Sequence, residues 1–210
     1  AQSGNRYEYD YRNQLTAVYD LQGVLIAEYA YDAFGRRIRK NLSGQTTSYI
    51  YSGLRVCEER DGADQVTATY TFGNYIDEVL TMERGGEELY YLADDQFSVV
   101  KLTDASGAVV ESYDYGDYGT PRVFNASGNE VPRSSFGNVY GFTGQRYDEE
   151  TGFYYYRTRY LDPEAGRFIT RDTIGVWGDP SNLGNGYTYV GNNPASMVDP
   201  YGEDGEELSL

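Results

Sequence analysis

Aromatic and polar residues alternate along the N-terminal half of the chain with the period of two that is typical of half-buried β-strands. The clearest case is Tyr7-Glu8-Tyr9-Asp10-Tyr11, in which aromatic and acidic residues take turns. Turn sequences such as Asn13-Gln14 and Ser43-Gly44 interrupt the alternation. No segment has the apolar periodicity of a long amphipathic helix. The pattern therefore predicts an all-β chain of short antiparallel strands joined by tight turns.

One unit recurs along this half with a period of roughly 20 residues, the short end of the range for stacked repeats. Its fullest copy contains Tyr29, Tyr31, Asp32, Gly35 and Arg36. Weaker copies begin at Tyr7, Tyr49, Tyr70 and Tyr113. The tyrosines would share one face of a strand. The aspartate side chain would accept hydrogen bonds from the backbone of its own turn, and the glycine would permit positive φ. The arginine would reach a neighbouring carboxylate or ring. A single hairpin cannot bury its aromatic face, so we expect successive hairpins to form one continuous sheet.

Composition excludes several classes of function. The net charge of −16 opposes electrostatic binding to nucleic acid or to an anionic membrane. The chain has no His, which excludes Ser-His and Cys-His catalysis and His-ligated metal sites. Cys57 is the one cysteine, so no intrachain disulfide can form. No apolar run approaches the ~20 residues of a membrane span. We predict neither a metal ion nor a cofactor.

A long motif fills residues 141–202. It contains the aromatic run Phe153-Tyr154-Tyr155-Tyr156, the turn Leu161-Asp162-Pro163, and the closing sequence Asp199-Pro200-Tyr201-Gly202. This motif resembles the C-terminal core-associated segment of RHS (rearrangement hotspot) proteins. The upstream units resemble the YD repeats of the same family, which also occur in the shells of teneurins and of bacterial insecticidal toxin complexes. The chain has Asp95-Gln96-Phe97-Ser98 where the family usually has a His and a Leu-Gly pair, so any role of that His is lost.

The resemblance implies spiralling antiparallel β-hairpin repeats that form a curved sheet, or part of a hollow shell, with the C-terminal motif as a plug. We place the YD-repeat sheet at 1–120, a loose connecting segment at 121–140, the RHS motif at 141–202 and an acidic tail at 203–210. Five or six repeats, roughly, are too few to close a shell. The open sheet edges would pair with upstream YD repeats or with further copies of the same chain.

Self-cleavage is the chemistry that the resemblance implies. Many RHS proteins resemble aspartic proteases that act on themselves, cutting at a Pro-x-x-x-x-Asp-Pro-x-Gly-Leu sequence to release a C-terminal toxin. Here Pro194–Gly202 supplies all of that pattern except the final Leu. By similarity, the catalytic carboxylates are Asp172 and Asp199, which could share a proton if they are close. Arg171 or Arg167 would hold one of them ionised.

Two features weaken that interpretation. Glu203 replaces the usual Leu at the cleavage junction, and eight residues follow Gly202, too few to be a toxin. A structural interpretation stays open and is favoured: Asp172 caps a turn, and Asp199 with Pro200 forms another. An enzymatic role is the less favoured alternative, and it would be autoproteolysis of the aspartic type.

Three functions follow from these observations. The leading one is a structural, encapsulating YD-repeat segment of a secreted or cell-surface RHS-type protein, at the C-terminal part of a β-shell or of an end-to-end, self-assembling structure. The second is an adhesion module that binds cell-surface glycans or proteins. The third is a self-cleaving aspartic protease that releases a toxin cargo after Gly202.

Overall fold

A computed structural model of the protein describes residues 4–172 and 184–207. The strands among these residues form three antiparallel sheets of 13, four and two strands. The only helical elements in the described part of the chain are short 3-10 turns, including Phe142–Gly144 and Val190–Asn192. The prediction of an all-β fold is confirmed.

The large sheet contains its thirteen strands in chain order, so each strand pairs with its neighbours in sequence. This order is what a series of hairpins must give, because each tight turn returns the chain beside the strand it has just left. The strands are Arg6–Tyr9 (β1), Leu15–Tyr19 (β2), Leu25–Tyr31 (β3), Arg37–Leu42 (β4), Gln45–Ser52 (β5), Arg55–Arg60 (β6), Val66–Phe72 (β7), Val79–Arg84 (β8), Glu87–Ala93 (β9), Val99–Thr103 (β10), Val109–Tyr115 (β11), Pro121–Asn125 (β12) and Glu130–Val131 (β13).

β-Bulges curve the large sheet at regular intervals. The strand register shifts next to Tyr9, Tyr31, Tyr51 and Phe72, the second aromatic position of successive repeats. Each bulge bends its strand and increases the local twist, so repeated bulges give the sheet its curvature. Bulges at the same position of four repeats therefore contribute to the curvature of the large sheet.

The turn of the repeat unit is a hydrogen-bonded loop built on its aspartate. The Asp32 carboxylate accepts hydrogen bonds from the backbone N–H groups of Phe34, at 2.9 Å, and Arg36, at 3.0 Å. The Arg36 side chain donates to the same carboxylate at 2.8 Å and lies over the ring of Tyr51 in the next hairpin, 5.0 Å from its centroid. Gly35 has φ +84, a left-handed conformation that disfavours a side chain.

The large sheet extends further than the sequence indicates. Residues 121–140 were expected to form a loose connection, but β12 and β13 occupy the first part of that segment and pair within the sheet. The acidic tail also contains a strand, because Glu206–Glu207 pairs with Met197–Val198.

The described residues of 141–207 form a second unit, which we call the plug. Its strands are Arg146–Asp148 (β14), Phe153–Tyr156 (β15), Arg159–Asp162 (β16), Arg167–Phe168 (β17), Met197–Val198 (β18) and Glu206–Glu207 (β19). All residues of β15 and β16 are buried. Their aromatic rings cannot all face one neighbour, so they fill two cores, one on each side of the plug's own sheet.

The first of these cores joins the plug to the large sheet. Leu15, Val18 and Tyr29 from the large sheet pack with Phe153 and Tyr160 from the plug. Rings such as those of Tyr29 and Tyr160, with centroids 5.9 Å apart, meet across this interface.

The second core lies within the plug. Tyr154, Tyr156, Phe168 and Tyr189 are buried there, and the rings of Tyr156 and Phe168 meet edge to face with centroids 5.6 Å apart. The plug is thus fixed to one face of the large sheet and has a core of its own.

Candidate functional site

The turn between β15 and β16 holds the peptide segment that the sequence marks as a cleavage junction. Arg157 begins this turn with φ 62, a conformation that few non-glycine residues adopt. Its guanidinium donates a hydrogen bond to the carbonyl oxygen of Pro200. The Thr158 hydroxyl lies 2.7 Å from the carbonyl oxygens of both Tyr201 and Gly202 and can donate its one proton to either.

The next residue, Arg159, contacts the junction and both candidate carboxylates. Its Nε donates to the Gly202 carbonyl oxygen at 2.6 Å, and its Nη2 lies 3.1 Å from the Glu203 carbonyl oxygen. Its Nη1 is 3.0 Å from an Asp172 carboxylate oxygen, and its Nη2 is 3.1 Å from an Asp199 carboxylate oxygen. All three charged side chains are at most 2% exposed. One guanidinium therefore connects the peptide bond after Gly202 with two aspartates.

The two atoms of that peptide bond that matter for hydrolysis each have a partner. The carbonyl oxygen of Gly202 accepts from Arg159, and the N–H of Glu203 donates to the Asp199 carboxylate at 2.9 Å. Peptide hydrolysis puts negative charge on the carbonyl oxygen and needs a proton on the nitrogen. Arg159 places a cation at the carbonyl oxygen, and Asp199 places an ionisable acid at the nitrogen.

The ionisation of Asp199 suits the role of an acid. Burial, together with the nearby charge of Asp172, raises the pKa of the Asp199 carboxyl to about 7, although Arg159 opposes this shift. A carboxyl that keeps its proton near neutral pH can protonate a leaving nitrogen, while a neighbouring carboxylate takes a proton from water. Asp172 and Asp199 thus share one arginine beside the peptide bond, which places two carboxyl groups near it.

Gly202 fits this site because it has no side chain. Its φ is +69, and a Cβ atom at this position would lie 2.4 Å from the carbonyl oxygen of Tyr156 and 2.6 Å from Oγ1 of Thr158. Atoms do not approach so closely, so the junction can lie against the β15–β16 turn only with glycine there.

Asp172 and Asp199 lie together in the structure, but their common partner is Arg159 rather than the predicted Arg167 or Arg171. Arg167 and Arg171 are exposed, and no ion pair joins either of them to these aspartates among the described residues. The signal for Arg159 was present in the sequence. It lies three residues after the aromatic run Phe153–Tyr156, and an arginine buried with such a run needs carboxylate partners.

Residues 4–172 and 184–207 contain no cluster of three or more His, Cys, Asp or Glu side chains that could hold a metal ion. The same residues include no helix of the length and apolarity that crossing a membrane requires.

Comparison with known proteins agrees with the fold and with the RHS resemblance. The family model of the teneurin YD-shell matches residues 1–195. The chain is 35% identical over 204 residues to the tRNA nuclease WapA of Bacillus subtilis strain 168, covering 93% of this chain and 8% of that protein. It is 31% identical over 206 residues to the toxin protein Tse5 of Pseudomonas aeruginosa, covering 85% of this chain and 15% of that protein.

Among solved structures, the crystal structure of TcdB2-TccC3 without its hypervariable C-terminal region matches with a TM-score of 0.70 and 21% identity, covering 95% of this chain and 10% of that one. The chain thus spans a small part of the length of each of these relatives. The predicted family and the curved all-β architecture are both confirmed. The chain belongs to the teneurin YD-shell family and forms a YD-shell domain of the kind found in Rhs- and Tc-type toxin proteins.

Proposed function

We propose that this chain is the C-terminal part of a YD shell that encloses the polypeptide following it, and that it cuts its own backbone between Gly202 and Glu203. The observation that carries this proposal is the position of Arg159, which contacts Asp172, Asp199 and the Gly202 carbonyl oxygen together. A structural turn would not need two buried carboxylates on one guanidinium beside a peptide carbonyl, because burying like charges together is costly.

The chemistry follows from these contacts. Ionised Asp172 accepts a proton from a water molecule, whose oxygen attacks the carbonyl carbon of Gly202. The negative charge that develops on the carbonyl oxygen is stabilised by Nε of Arg159. Protonated Asp199 gives its proton to the nitrogen of Glu203, and the C–N bond breaks. The products are a carboxyl group on Gly202 and an amino group on Glu203.

The enclosing role is supported by the architecture. The plug covers one face of a curved sheet, and Asp172 and Asp199 are buried in it rather than displayed on the surface. The first strand, β1, pairs with β2 alone among the described strands, so its outer edge is available to upstream YD repeats of a longer wall. Relatives named as a nuclease and a toxin support a toxic polypeptide as cargo. We propose secretion as the route by which such a cargo leaves the cell.

The test uses the chain lengthened at its C-terminus by a folded reporter. We expect intact mass spectrometry to find a fragment that ends at Gly202 and a second that starts at Glu203. Asp172→Asn and Asp199→Asn should each abolish the cut. Asp94→Asn is the control: Asp94 accepts backbone hydrogen bonds in a turn of the large sheet, which asparagine can also accept.

An uncut lengthened chain would overturn the proposed activity. So would a cut that persists in both Asp172→Asn and Asp199→Asn. A cut at another peptide bond would show that the contacts of Gly202 do not define the junction.

A further inference from the structure

The plug and the large sheet meet beside the junction at one charged contact that the proposed chemistry does not use. Asp77 lies just before β8 in the large sheet and is 3% exposed. Its carboxylate pairs with the guanidinium of Arg157, in the plug, and accepts a hydrogen bond from the Gln145 amide at 2.8 Å. The same guanidinium donates to the carbonyl oxygen of Pro200, two residues before the junction glycine.

We propose that Asp77 and Arg157 are positioning residues for the cut after Gly202, so that the large sheet supplies part of the cleavage site. This inference rests on the self-cleavage proposed above. Neither residue contacts the reacting peptide bond. They act on the backbone that leads into it.

The geometry of Arg157 supports this role. A guanidinium is a planar fork whose donors have fixed directions, so one arginine can hold a carboxylate and a carbonyl in a defined relation. Arg157 also has a left-handed backbone, with φ 62. That conformation costs free energy for a non-glycine residue and persists where surrounding contacts impose it, often at functional sites.

The pKa of Asp77 is shifted in the opposite direction from that of Glu59, another buried carboxylate paired with arginine at the interface. Burial raises the pKa of Asp77 to about 6, despite the opposing effect of Arg157. Glu59 is equally inaccessible, yet Arg146 and Arg84 outweigh its burial and lower its pKa to about 2. Keeping Asp77 ionised is therefore costly, and its ion pair with Arg157 is poorly explained as a source of stability.

The contact also joins parts of the chain that are distant in sequence. Asp77 and Arg157 are 80 residues apart. The plug backbone touches the segment around Asp77 so closely that a Cβ atom on Gly144 would lie 2.2 Å from the Asp77 carbonyl oxygen. The Pro200 carbonyl is thus held by a side chain that is itself oriented by the large sheet. Cutting should follow docking of the plug onto the sheet and should be slow before it.

The experiment measures the rate at which the reporter-extended chain is cut during a pulse-chase in cell-free translation. Asp77→Asn and Arg157→Gln should each slow the cut by at least about tenfold, because small displacements of a reacting group reduce rates by such factors. The double variant should be no slower than the slower single variant, since both changes break one contact. Glu59→Gln is the matched control, a buried carboxylate paired with arginine away from the junction, and should be cut at the native rate.

Folding is checked separately by thermal melting of each variant in the uncut Asp172→Asn background. Arg157→Lys covers the case in which Asp77→Asn does not fold. Lysine keeps the charge opposite Asp77 but lacks the second donor of the fork, so the protein should melt near the native temperature and still be cut slowly.

Three results separate the two proposals. Native cutting rates in folded Asp77→Asn and in Arg157→Lys would overturn the positioning role while Asp172→Asn remains uncut. Equal slowing by Glu59→Gln would overturn it as well, because any loss of interface charge would then suffice. Cutting that persists in Asp172→Asn and Asp199→Asn would overturn the self-cleavage itself.

Discussion

Replacing Gly202 by alanine tests how closely the junction lies against the β15–β16 turn. Gly202 has φ +69, and an alanine Cβ would lie 2.4 Å from the carbonyl oxygen of Tyr156. The left-handed conformation costs about 1–2 kcal/mol for a residue with a side chain. The steric overlap adds about 1–3 kcal/mol, the usual cost of overpacking. We expect Gly202→Ala to lower the free energy of unfolding by about 2–5 kcal/mol and to abolish the cut after residue 202.

The assay is urea unfolding of the uncut protein in the Asp172→Asn background, with cutting measured separately in the reporter-extended chain. Gly85→Ala is the control because Gly85 has φ +63 but no atom within 4 Å of a Cβ at that position. Gly85→Ala should lower the free energy of unfolding only by the cost of the left-handed backbone, about 1–2 kcal/mol. The reasoning is refuted if Gly202→Ala costs no more than Gly85→Ala, or if the extended Gly202→Ala chain is still cut.

Two further predictions concern charges at the interface between the large sheet and the plug. Arg37 and Asp148 pair there with side chains at most 2% exposed. Arg37→Met should cost about 3 kcal/mol, the low end for breaking a buried pair, because Lys40 still lies 3.2 Å from the Asp148 carboxylate. Burial alone would raise the pKa of Glu59, but Arg146 and Arg84 hold it at about 2 against an ordinary value of 4.5. Glu59 therefore contributes stability above its ordinary pKa that is lost as pH falls towards 2, worth about 3 kcal/mol. Glu59→Gln should remove this part of the acid dependence of the free energy of unfolding.

Both predictions have controls and contrary outcomes. Arg60 forms ion pairs on the surface, and Arg60→Met should change stability by no more than about 1 kcal/mol. If Arg37→Met costs no more than Arg60→Met, the Arg37 pair is not a buried one. If urea titrations of Glu59→Gln between pH 5 and pH 2, roughly, match those of the native chain, the low pKa assigned to Glu59 is wrong.

The repeats could be predicted from the sequence because the interactions that define them are local. The Asp32 turn is closed by hydrogen bonds from residues two and four positions later, and the alternation of tyrosines sets which face of the strand is buried. Order along the sheet follows from hairpin connectivity. The extent of the sheet was harder to predict, because β12 and β13 lack the tyrosine pattern and depend on pairing with β11.

The site was only partly predictable from the sequence, because it is built by contacts between residues that are far apart along the chain. Asp172 and Asp199 were selected through the family motif, while their common partner was missed. Arg171 or Arg167 was expected to hold one of them ionised, but neighbours in an extended chain point to opposite sides, and here Arg171 is exposed while Asp172 is buried. Arg159 meets Asp199 across 40 residues. Only the packing of the plug shows that this arginine reaches both aspartates.

Ion pairs between the large sheet and the plug help to fix how the two dock. Five such pairs cross the interface among the described residues: Arg37 with Asp148, Lys40 with Asp148 and with Glu150, Glu59 with Arg146, and Asp77 with Arg157. The sheet supplies the cations Arg37 and Lys40 but the anions Glu59 and Asp77, so a plug displaced by one hairpin would set arginine against arginine. A buried pair contributes little net stability, but a buried charge that loses its partner is costly, so misplaced docking is penalised. Adding Asp148→Met to Arg37→Met should therefore restore much of the lost free energy of unfolding. If it does not, the pair itself stabilises the interface, and docking is specified by the aromatic core instead.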